Sequence, residues 1–110
     1  MGMKFDGKTL KDGSRTIANV KNDRVYEGTG SSKTLANFKN NRIYEGTGSS
    51  KTLANMKNDR LYEGTGSSKT LANYKSNNVY EGTGSSRKLN KFDGFRGGLS
   101  DWALWYLFCR

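Results

Sequence analysis

The sequence predicts a mostly β protein: four tandem 18-residue β-hairpin repeats arranged around a short hydrophobic C-terminal helix. Three observations predict it. A unit of 18 residues recurs, each unit has a two-residue turn signal at its centre, and the composition turns apolar over residues 99–110.

The full units are RTIANVKNDRVYEGTGSS (15–32), KTLANFKNNRIYEGTGSS (33–50), KTLANMKNDRLYEGTGSS (51–68) and KTLANYKSNNVYEGTGSS (69–86). Residues 1–14 and 87–98 read as partial capping units, because KFDG opens at 4–7 and returns at 91–94 and the end units of repeat arrays differ from the middle ones. Residues 1–98 then form the hairpin repeat domain, and 99–110 a helix that belongs to the same domain.

Within a unit, TLANFK (34–39) and RIYEG (42–46) read as strands on either side of Asn40-Asn41, and the matching turn pairs are Asn22-Asp23, Asn58-Asp59 and Ser76-Asn77. Asn and Asp tolerate the positive φ of a tight hairpin turn. GTGSS is the looser turn to the next unit. A two-residue turn opposes Phe38 to Ile43, Val20 to Val25, Met56 to Leu61 and Tyr74 to Val79, with Ala36 and its counterparts behind them, giving one apolar face. The other face is mixed: Lys39 beside Arg42, Asn37 beside Tyr44, and Leu35 near Gly46.

In LSDWALWYLFCR, Ser100 is the expected N-cap, Asp101 suits the positive end of a helix and Arg110 the negative end, which predicts a helix over 101–109. It is apolar on nearly every side, so it must be buried or lie in lipid. At about 12 Å it is far too short to cross a bilayer. The expectation is a plug in a ring of hairpins, packed by Val20, Phe38, Met56 and Tyr74. A helix docked into another copy, giving self-association, and a helix lying in a membrane interface are the alternatives.

The chain has 110 residues, a net charge of +9, no histidine and a single cysteine, Cys109. That excludes an intramolecular disulfide and the cysteine–histidine and serine–histidine catalytic arrangements, and leaves a soft zinc site without ligands. Cys109 reads as an inert buried thiol. The start MGMKFDGKTL lacks an apolar signal region, so a cytoplasmic location is the default, and Asp6 stands where a myristoylation signal needs Ser or Thr.

EGTGSSKT (27–34) imitates a phosphate-binding loop, but Ser32, Ser50 and Ser68 stand where such a loop needs glycine, and turn residues follow too soon for its helix. No cofactor is expected. Glu27, Glu45, Glu63 and Glu81 could converge on a cation in a closed ring; pairing of each with a lysine such as Lys33 or Lys51 is the preferred reading, and no metal is expected. No residues present themselves as catalytic.

Together, the RIYEG or NVYEG strand, the glycine-containing turn and the short hydrophobic C-terminal helix resemble the bacterial four-fold β-flower proteins. The resemblance covers nearly the whole chain. It implies hairpin petals about a central axis and carries no activity or site residues with it. Related repeats place glycine in the hairpin turn where this chain has Asn or Asp. A left-handed β-helix, with Asn37, Asn55 and Asn73 as a ladder, is the alternative fold, although the apolar positions 35, 38, 43 and 44 show no spacing of six. Choline-binding-type repeats carry paired tryptophans at their sites, whereas both tryptophans here lie in the terminal helix.

Each hairpin tip offers a basic pair, Lys21 with Arg24, Lys39 with Arg42 and Lys57 with Arg60, while the fourth has Lys75 and Asn78. Tyr26, Tyr44, Tyr62 and Tyr80 lie near enough to interleave aromatic rings with that charge. The function expected is a non-enzymatic structural or protein-interaction module with an unidentified protein partner. The alternative is a basic surface that binds nucleic acid or another polyanion.

Overall fold

Asn and Asp enter left-handed backbone more readily than other non-glycine residues, and the chain uses this at every full hairpin. Asn40 and Asn41 have φ of 54° and 64°, and Asn22-Asp23, Asn58-Asp59 and Ser76-Asn77 all lie between 51° and 67°. Positive φ at both central residues is the turn geometry whose twist matches the flanking strands, so the hairpins form without glycine.

The structure is a computed structural model and describes residues 3–109. Its strands are β1 (Met3–Phe5), β2 (Thr9–Asp12), β3 (Arg15–Lys21), β4 (Arg24–Glu27), β5 (Thr34–Lys39), β6 (Arg42–Glu45), β7 (Thr52–Lys57), β8 (Arg60–Glu63), β9 (Thr70–Lys75), β10 (Asn78–Glu81) and β11 (Lys88–Leu89). All eleven lie in one antiparallel sheet in chain order, with hairpin tips at one end and inter-unit loops at the other. This overturns the β-helix alternative. It also corrects the four-unit ring: the segments read as caps are members of the sheet, β1–β2 as a fifth hairpin and β11 as half of a sixth.

Registers within the hairpins are those expected, Phe38 opposing Ile43, Asn37 opposing Tyr44 and Lys39 opposing Arg42. Between units the register slips. Val25 pairs with Ala36 but Tyr26 with Thr34, which makes Leu35 an extra residue, and Leu53 and Leu71 repeat the bulge. A bulge bends and twists the sheet locally, and with the slip between β2 and β3 the first four junctions each have one, which curls the meander into a ring.

No ladder joins β11 to β1 among the described residues, and a clasp closes the ring instead. Asp93 N–H donates to Met3 O at 2.7 Å, and Phe5 N–H donates to Asp93 O at 2.8 Å. The next residue, Gly94, has φ 91° and a Cβ there would collide with Phe5 O, so only glycine fits behind the clasp. The resulting disc measures 37 × 35 × 16 Å.

Inside the ring, Ala18, Ala36, Ala54 and Ala72 are fully buried beside Leu10, Val25, Ile43 and Leu61 of the preceding strands. A small residue at each junction leaves space at the centre, and the C-terminal helix fills it. α1 spans Leu99–Leu104 and widens into a π-helical turn over Trp105–Cys109. Trp102, Ala103, Leu104 and Trp105 are buried, while Leu107, Phe108 and Cys109 are half-buried. Val20, Phe38, Met56 and Tyr74 join the same core, so α1 is the plug of its own ring.

The helix starts earlier than its sequence suggests. Gly98, not Ser100, is the N-cap. The reason is Asp101, whose Oδ2 accepts from Arg96 N–H at 2.9 Å and Gly98 N–H at 3.1 Å and thereby binds the approach segment to the first turn. Arg110 lies outside the described residues. An aromatic chain anchors the plug: edge-on contacts run Phe5–Phe92, Phe92–Phe95, Phe95–Trp102 and Trp102–Trp105, with centroids 5.0–5.8 Å apart.

Candidate interaction surface

The seven basic residues singled out at the tips, Lys21, Arg24, Lys39, Arg42, Lys57, Arg60 and Lys75, are all exposed. Three like-charged pairs close their hairpins as direct cross-strand partners, Lys21–Arg24, Lys39–Arg42 and Lys57–Arg60. Opposed like charges repel, so these tips carry a standing demand for anions or water. Asp23 and Asp59 within the turns moderate the first and third; Asn40-Asn41 leaves the Lys39–Arg42 tip the most positive.

The first three full-unit tips are held from the side: Phe38 N–H donates to Asp23 O, Met56 N–H to Asn41 O and Tyr74 N–H to Asp59 O, all at 2.8–2.9 Å, so each of these turns is pinned by the next strand. Beside the Lys39 tip, a cleft of about 440 Å³ has Val20, Phe38 and Leu99 among its walls and Lys39, Asn40 and Asp23 at its rim. An apolar floor beside the Lys39 ammonium suits an apolar side chain that is followed by an acidic group.

The tyrosines are not part of this surface. Tyr26, Tyr44 and Tyr62 are each 7% exposed, and Tyr80 is half-buried. Each is held between an asparagine on one side and the next strand on the other, as Tyr44 is between Asn37 and Thr52. Their faces are closed to stacking with bases.

The four glutamates do not converge. Glu27 pairs with Lys33, Glu45 with Lys51, Glu63 with Lys69 and Glu81 with Arg87 at 3.4–3.6 Å, all exposed. Among the described residues no three His, Cys, Asp or Glu side chains gather to hold a metal.

The loop that imitates a phosphate cradle is tied back to the sheet through two glycine carbonyls and one glycine N–H. Asn37 Nδ2 donates to Gly46 O at 2.7 Å and Gly48 O at 2.8 Å, Gly46 N–H donates to Leu35 O, and Asn19, Asn55 and Asn73 hold their own loops in the same way. Sequence reading assigned these asparagines no such role, although their invariance against a changing Val, Phe, Met or Tyr neighbour was a visible signal. It also missed Phe92 and Phe95, which lie in a segment taken for a cap.

With five hairpins, a sixth half-unit and a closing clasp in view, the match to a family model is decisive: residues 4–94 fit the model described as 6-fold beta flower protein. The chain belongs to the six-fold β-flower family. The four-fold resemblance drawn from four near-identical copies is corrected accordingly, because the divergent first and last units also count. No curated protein matches this β-flower, and no solved structure matches it. No helix among its described residues is long and apolar enough to cross a membrane.

Proposed function

We propose that this β-flower is a non-enzymatic interaction module that presents basic hairpin tips to an acidic protein partner. The observation that supports it is the Lys39–Arg42 pair, opposed and exposed at a pinned tip, with Lys39 at the rim of a cleft whose floor is Val20, Phe38 and Leu99. In this reading residues 1–98 and 99–110 act as one domain in the cytoplasm, with the helix as internal scaffold. Self-association through the half-buried end of that helix is a subordinate part of the reading, tested by particle mass after truncation at Gly98.

A polyanion reading keeps one observation in its favour, the net charge of +9. The buried tyrosines weigh against single-strand binding, which relies on aromatic platforms. The test titrates the protein against a Glu-rich peptide containing one leucine and against labelled single-stranded and duplex oligonucleotides, at about 50 and 200 mM salt. The proposal expects the peptide to bind at both salt concentrations and Lys39→Glu/Arg42→Glu to abolish binding with the fold intact. Tighter oligonucleotide binding that collapses over this salt range favours the polyanion. Binding of neither ligand overturns both readings.

A further inference from the structure

The repeat places the same two residues on the outer face of every full unit, and the seam of the ring changes both. Asparagine opposes tyrosine in Asn19–Tyr26, Asn37–Tyr44, Asn55–Tyr62 and Asn73–Tyr80. In β1–β2 the pair one step from Phe5–Leu10, as Asn37–Tyr44 is one step from Phe38–Ile43, is Lys4–Lys11. One period after Asn73 the chain carries Lys91. These three lysines line a single cleft of about 720 Å³ beside the clasp, with Asp6 and Asp93.

Residues directly opposed on one sheet face hold their Cβ atoms about 4.5–5.5 Å apart, so Lys4 and Lys11 repel each other. Elsewhere the chain relieves its loop lysines with glutamates, but none of the ion pairs among the described residues involves Lys4, Lys11 or Lys91. Asp6 is committed to its own turn. Its carboxylate accepts from Lys8 N–H at 2.9 Å, Thr9 N–H at 2.8 Å and the Thr9 hydroxyl at 3.1 Å, leaving Lys11 a minor influence on it. The short Gly13-Ser14 link after β2 gives an asparagine no long loop to tie, which accounts for the loss of asparagine at position 4. It does not account for lysine at all three positions.

We infer that the seam cleft is an anion-binding site, in which Lys4, Lys11 and Lys91 hold a phosphate or dicarboxylate group. The site occurs once per ring and spans the clasp, so a bound anion joins the first unit to the last. It is independent of the tips and does not arise from the repeat.

The test titrates inorganic phosphate, and separately succinate, at fixed ionic strength into the ¹⁵N-labelled full chain. The expected result is saturable shifts at the amides of Lys4, Lys11 and Lys91 with Asn40 and Asn58 unmoved. Lys11→Tyr, which restores the repeat residue, weakens binding about tenfold or more, the loss expected for one charge-assisted contact. Lys39→Gln/Arg42→Gln binds as the parent does. A stronger response to phosphate assigns a phosphate-bearing ligand, and a stronger response to succinate a carboxylate one. Shifts that never saturate with either anion, equal shifts at the tips, or unchanged binding by Lys11→Tyr overturn the inference. Lys4→Gln/Lys91→Gln serves in its place if Lys11→Tyr fails to fold by circular dichroism.

Discussion

Replacing Asn37 with alanine removes the side chain that ties one inter-unit loop to the sheet. Two carbonyl oxygens within 2.8 Å fix which end of the amide faces them, since only the NH₂ end can donate to both. Each such bond contributes about 0.5–1.5 kcal/mol net, so losing both costs about 1–3 kcal/mol. Gly48 lies on an exposed stretch where water can rebond its carbonyl, which places the loss at about 1.5 kcal/mol. For a domain of this size that lowers Tm by roughly 6–10 °C. Asn37→Asp is the sharper probe, because it is close in shape but turns an acceptor-only carboxylate towards two carbonyls; it should be worse than alanine. Urea and thermal unfolding give the energies, and hydrogen exchange at the Gly46 amide, bonded to Leu35 O, reports the local loosening. A loss from Asn37→Ala below about 0.5 kcal/mol, the low end for one bond, or an aspartate variant no less stable than the alanine one, refutes the reasoning.

Trp102→Ala should cost about 3–5 kcal/mol, and calorimetry should show Trp102→Phe to be much milder, because the indole Nε1 is buried without a partner among the described residues. Ser76 has φ 51° without the short amide that eases left-handed backbone, so Ser76→Asn should raise the urea midpoint, by up to about 1 kcal/mol of stability. The backbone N–H groups of Thr9 and Lys8 hold the Asp6 carboxyl down at about 2. A folded value below the unfolded one means its contribution is present above about pH 4 and is lost as pH falls through about 2, which NMR titration of Asp6 checks directly. Burial pushes the Cys109 thiol up to about 11, so at pH 8 iodoacetamide should modify the native protein roughly a hundredfold more slowly than the urea-unfolded chain. Equal rates would place the sulfur in open solvent.

The hairpins were legible because turn and strand chemistry act over a few residues. Asn40-Asn41 and the alternation of Phe38 and Ile43 with their neighbours fix the register locally, and the structure follows them. The helix was legible as a plug because Trp102, Leu104 and Trp105 leave it no face for water. Its start was not, since the Asp101 bonds to Arg96 and Gly98 depend on how the preceding segment turns back. Unit number was misread for a related reason: Phe5, Leu10 and Phe92 keep the apolar positions of the repeat, while Lys4, Lys11 and Lys91 beside them replace its Asn and Tyr and hide the unit. At the candidate surface, exposure of the tip cations follows from their position at the turns, whereas burial of the tyrosines follows from packing on a face that sequence alternation could only describe as mixed. The seam cleft is written in residues far apart in the chain, Lys4, Lys11 and Lys91, and needs ring closure to exist.

Closure also limits how the gene encoding such a chain can drift. Near-identical 18-residue units invite unequal recombination, which adds or drops whole copies. A solenoid absorbs such events by growing longer or shorter. This ring cannot, because Asp93 must still reach Met3 and Phe5, and the alanine-lined centre must still match Trp102 and Trp105. The helix is a gauge for copy number: a chain with one unit too few has no room for it, and a chain with one too many leaves it loose.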